Sequence, residues 1–63
     1  MIMSEYKARL LSYYRAVGFK ISLAKCPTSM TRLIVVGVRD NQVVPLFEEH
    51  AWAAVLYYRH FNK

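Results

Sequence analysis

Leu33-Ile34-Val35-Val36-Gly37-Val38 is an uninterrupted apolar run, and no other segment limits the possible folds of this chain as much. A run of this length bounded by polar residues reads as a β-strand, and one that is apolar at successive positions sends nonpolar side chains to both faces of its sheet. A chain of 63 residues can cover only one of them. Surface scaling gives such a chain roughly 4,200 Å² folded against roughly 10,700 Å² unfolded, so only about 60% of its surface can be hidden. Yet 56% of the residues are apolar and 14% aromatic, with five Tyr, three Phe and one Trp. Apolar supply exceeds covering capacity, so another protein or a second copy of the chain is expected to hide the remainder.

Flanking segments say what stands beside that strand. Ser4 is a plausible N-cap, Glu5 opens the first turn where the helix dipole favours an anion, and Gly18 stands where a left-handed C-cap is expected. A helix is predicted over residues 4–17. On a 3.6-residue wheel Met3, Tyr6, Leu10, Tyr13, Tyr14 and Val17 share one face, with Glu5, Arg9, Ser12 and Ala16 opposite and Glu5 spaced to pair with Arg9. From Phe19 the period becomes two: Phe19, Ile21 and Leu23 alternate with Lys20, Ser22 and Ala24, the pattern of a half-buried strand ending near Cys26-Pro27.

A loop over residues 27–30 leads to the second strand, predicted over residues 31–39. Asp40-Asn41 then separates two Val-rich stretches, and both residue types tolerate the positive φ of a two-residue hairpin turn. The resulting register sets Arg39 against Gln42, Val38 against Val43 and Gly37 against Val44. Pro45 cannot donate to a ladder and is expected to end the third strand. The last helix is predicted over residues 46–61, with Glu48 and Glu49 in its first turn and Arg59, His60 and Lys63 at its end. Phe47, Ala51, Ala54, Val55, Tyr58 and Phe61 would pack on the sheet, leaving Trp52 and Leu56 as an outward apolar pair flanked by charge.

The predicted fold class is therefore α+β: residues 1–63 form a single domain of helix, three-stranded antiparallel meander and helix, with both helices on one sheet face. Either Leu33 and Val35 or Ile34, Val36 and Val38 would then face the open side. The Tyr-Tyr-Arg triplets at residues 13–15 and 57–59 do not extend into a repeat, because the segments between them do not align and an array needs at least three units.

Chemistry-bearing motifs are absent from the sequence. Cys26, His50 and His60 have no metal-ligand spacing, Gly18 and Gly37 stand alone rather than in a phosphate-binding loop, and Glu48, Glu49 and His50 carry no acid–base signature. No catalytic residue, metal or cofactor is expected, and no small-molecule substrate. The single cysteine allows no internal disulfide, which favours a reducing, cytoplasmic setting. Neither export nor membrane insertion is expected, because no cationic segment leads into a long apolar stretch and no apolar segment approaches the ~18 residues needed for a span.

The element order is similar to that of double-stranded-RNA-binding domains and of small toxin ribonucleases. The similarity is one of topology. The former would present Lys at the start of the last helix, where this chain has Glu48 and Glu49, and the latter carry a histidine element on their first strands, whereas no histidine occurs between Phe19 and Arg39.

Two functional expectations follow. The first is a small basic non-catalytic protein that acts by protein–protein association, as an inhibitor, adaptor or assembly factor of phage or mobile-element type, or as a homodimer. Its interface would comprise Trp52 and Leu56 with Glu48 and Arg59 around them, and Leu33 and Val35 on the open sheet face. The second draws on nine Lys and Arg against four Asp and Glu, a formal charge of +5. Lys7, Arg9, Arg15, Lys20, Lys25, Arg32 and Arg39 would bind RNA or single-stranded nucleic acid, with Tyr13 or Tyr57 stacking on bases. The basic residues are scattered, so the same charge also serves solubility.

Overall fold

The structure is a computed structural model that describes residues 3–62. Its elements are α1 (Glu5–Ala16), β1 (Lys20–Lys25), β2 (Arg32–Arg39), β3 (Gln42–His50) and α2 (Ala51–His60). The three strands form one antiparallel sheet in the order β1-β2-β3, so the architecture is the α+β arrangement expected from the sequence. The molecule exposes 4569 Å², somewhat above the roughly 4,200 Å² that scaling gives a chain of this mass. Its interior is correspondingly thin.

Local chemistry sets the ends of α1. The Ser4 side chain accepts from the Lys7 N–H at 3.4 Å. At the other end Gly18 takes φ +102°, Gly18 N–H donates to the Arg15 carbonyl and Phe19 N–H to the Tyr14 carbonyl. These two bonds form a Schellman motif, which satisfies the last carbonyls and turns the chain into β1. In the β2–β3 hairpin, Asp40 (φ 50°) and Asn41 (φ 66°) both adopt left-handed conformations, as a type I′ turn requires. The register is the one the turn predicts: Arg39 pairs with Gln42, Val38 with Val43 and Gly37 with Val44.

Both helices lie on one face of the sheet. Leu11 from α1 and Ala54, Tyr57 and Phe61 from α2 or its end meet Ile21 and Val35 in the core, with Met3, Ala8, Tyr14, Leu23, Leu33, Leu46 and Phe47 packed around them. Val35 is fully buried and Leu33 half-buried against the helices. Strand alternation therefore puts Ile34, Val36 and Val38 on the open face, and the expectation that Leu33 and Val35 form an interface there is corrected.

The structure departs from the sequence reading in three further places. Pro45 does not end β3, which continues to His50. β3 is an edge strand, where a missing N–H on the outer side breaks no ladder. A bulge between Val35 and Val36 leaves Leu46 unpaired and lets Leu46 and Phe47 both pack on the core. Glu48 and Glu49 consequently belong to β3, not to the first turn of α2, which contains no acid.

Each helix is also rolled by about one residue relative to its predicted face. On α1 the buried position is Leu11, with Ala8 and Tyr14 beside it, while Tyr6, Tyr13 and Val17 are exposed. Lys7 explains the roll, because its ammonium pairs with Glu49 and lies 5.1 Å from the Phe47 ring centroid, so a residue assigned to solvent occupies the sheet-facing side. On α2, Ala53, Ala54 and Tyr57 turn inward, and Val55 and Tyr58 are exposed. Lys63 lies outside the described residues.

Candidate protein interface

α2 presents nonpolar residues on every side. Ala53, Ala54 and Tyr57 account for its inward face, and the Tyr57 hydroxyl accepts a 2.8 Å hydrogen bond from the Ser4 N–H, which fixes the rotation of the helix. Turned outward are Trp52, 53% exposed, and Leu56, 42% exposed, one helical turn apart, with Val55 beside them. Leu56 also lines a groove of about 510 Å³ together with Met3, Arg59 and His60. Trp52, Leu56 and Arg59, at i, i+4 and i+7, form one stripe. The helix therefore carries an apolar strip that ends in positive charge.

The open sheet face is a lesser surface. Cross-strand pairs place Ser22 and Pro45 on either side of Val36, which is only 4% exposed despite having no helix above it. Nonpolar exposure on this face is largest at Val43, next to the hairpin. Glu48, expected on the rim of the helical patch, belongs to this face instead, opposite Ile34. Arg32 Nε donates to its Oε1 at 2.6 Å, and the Cys26 thiol approaches its Oε2 at 3.5 Å. The Arg32 hydrogen bond and, after it, the Cys26 contact hold the Glu48 carboxyl below the usual carboxylate range.

The cations expected to bind nucleic acid are largely engaged within the chain. Lys7 pairs with Glu49, Arg9 with Glu5 at 3.0 Å, Arg32 with Glu48, and Arg39 with Asp40 at 3.5 Å. Arg39 also donates to the Val17 carbonyl at 2.8 Å and lies over the Phe19 ring, and Arg15 lies over Phe61. Arg15 and Lys20 share a groove at one end of the molecule, whereas Lys25 and Arg32 line another beside the β1–β2 loop. Of the two tyrosines proposed to stack on bases, Tyr13 is exposed, but Tyr57 is fully buried and its hydroxyl is committed to Ser4, which removes it from that role.

Among the described residues no three His, Cys, Asp or Glu side chains come together as metal ligands, and no helix is long and apolar enough to cross a membrane. The chain matches no known protein family, no curated protein and no solved structure.

Proposed function

We propose that this chain is a non-catalytic binding protein that acts by docking the outward face of α2 onto another protein. One observation carries the reading: Trp52 and Leu56 stand about half exposed on a helix whose inward face is already filled by Ala53, Ala54 and Tyr57. Trp and Arg are among the residues enriched at interface hot spots, and Trp52 and Arg59 place one of each on the same stripe of α2. Four of the seven cations in the nucleic-acid set lie beside carboxylates of the same chain, Lys7 and Arg32 in the less exposed pairs, and the set is spread over several sides of the molecule, which favours association through α2 over binding a phosphate backbone.

Affinity capture with the intact chain as bait, quantified for Trp52→Ala, Leu56→Ala and Tyr6→Ala, tests this. Trp52→Ala should weaken capture of a reproducible partner by about 2 kcal/mol, roughly thirtyfold, with a lesser loss for Leu56→Ala and none for the exposed control Tyr6→Ala. Capture that survives Trp52→Ala at full strength would exclude α2 as the docking face.

A further inference from the structure

We infer that the surface received by α2 is acidic: a protein segment that inserts a nonpolar side chain between Met3 and Leu56 and sets a carboxylate on Arg59. This rests on the association reading and specifies its partner. The shallow groove of Met3, Leu56, Arg59 and His60 has an aliphatic floor and a cationic end, so an occupant that joins a nonpolar side chain to a carboxylate complements both parts of it, whereas a purely apolar one matches only the floor. Arg59 is exposed and, like Arg15, Lys20 and Lys25, has no ion pair among the described residues, but it alone of these four borders the groove beside Leu56.

Charge also argues against a second copy in this groove. Of the four acids, Glu49 and Glu48 are held by Lys7 and Arg32, so a second copy offers only the exposed Glu5 and Asp40, each already beside a cation of its own chain. It would also bring a further +5 to a molecule already at +5. A segment rich in carboxylates meets neither obstacle, and its association is steered by the same surplus charge.

Trp52 is the only tryptophan, so its fluorescence reports cover over this face without a label. The intact chain is titrated with a synthetic amphipathic peptide of Leu and Glu, with the same peptide carrying Lys for Glu, with single-stranded RNA, and with phosphatidylserine vesicles. The Leu–Glu peptide should give a saturable blue shift, weakened about tenfold by Arg59→Gln and diminished by salt, and the Leu–Lys peptide should give none. A shift that appears on raising the protein's own concentration, or one produced by RNA or vesicles at lower concentration than by the Leu–Glu peptide, would overturn the proposal. So would the absence of any shift, or one that Arg59→Gln leaves unchanged. Loss of partner capture by Trp52→Ala alongside full capture by Arg59→Gln would sink the acidic partner and leave association through α2 standing.

Discussion

The Tyr57 hydroxyl and the Ser4 backbone N–H, 53 positions apart in the chain, meet at 2.8 Å and join the inward face of α2 to the first residue of the α1 cap. Tyr57→Phe keeps the ring in place and leaves a partly buried donor without its acceptor. Unfolding in urea should show a loss of about 1 kcal/mol or more, with the far-ultraviolet spectrum unchanged. An unaltered midpoint would mean that the bond adds nothing to stability.

Leu11 and Tyr6 measure which face of α1 is buried. Leu11→Ala empties a fully enclosed position and should cost about 2–5 kcal/mol, a large share of the stability of so small a domain. Tyr6→Ala, at an exposed position, should change stability by no more than about 0.5 kcal/mol. The reverse ranking in chemical denaturation would restore the face that the apolar wheel selects.

Asn41 sits at the second central position of the β2–β3 turn with φ 66°. Glycine reaches that conformation without opposing a Cβ, and Asp-Gly is among the favoured type I′ pairs. Asn41→Gly should therefore raise stability by about 0.5 kcal/mol, seen as a higher thermal midpoint. A fall would show that the Asn side chain contributes more to the turn than its backbone strain removes.

Acid should weaken the Glu48–Arg32 pair in a defined window. The folded pKa of Glu48 lies below its unfolded value, so the pair's contribution is fully present above the ordinary glutamate range and is lost as pH falls through the folded value. The wild-type chain should thus lose more stability than Glu48→Gln across that interval. Parallel pH profiles for the two would show that the pair is too solvated to matter.

Hairpin, strand order and α1 caps were all legible because each depends on short-range chemistry: two residues that accept positive φ, an alternating Phe19-Ile21-Leu23, a Ser and a Gly at helix ends. Pro45 misled because its meaning depends on whether its strand is central or at an edge, which is a property of the assembled sheet. Glu48 and Glu49 fit a helix start by charge order, yet each finds its cation elsewhere, Glu48 on Arg32 and Glu49 on Lys7. The rolled helices have one cause. Apolar wheels treat Lys7 as solvated and Tyr58 as buried, whereas long-range partners, Glu49 for Lys7 and Ser4 for Tyr57, determine which side turns inward. Trp52 and Leu56 were legible as outward because neither belongs to the stripe of Ala54 and Phe61, which the structure also buries.

No loop separates β3 from α2: His50 closes the strand and stands at the N-cap position of the helix without a side-chain bond to it, and the Ala51 N–H donates to the Thr31 carbonyl at 2.9 Å, just ahead of the central strand. Anything that grips Trp52 therefore holds a short lever whose fulcrum is the sheet. With no slack segment at this junction, the orientation of Trp52 is tied to the β2–β3 ladder, and a partner docking there would meet that face already oriented.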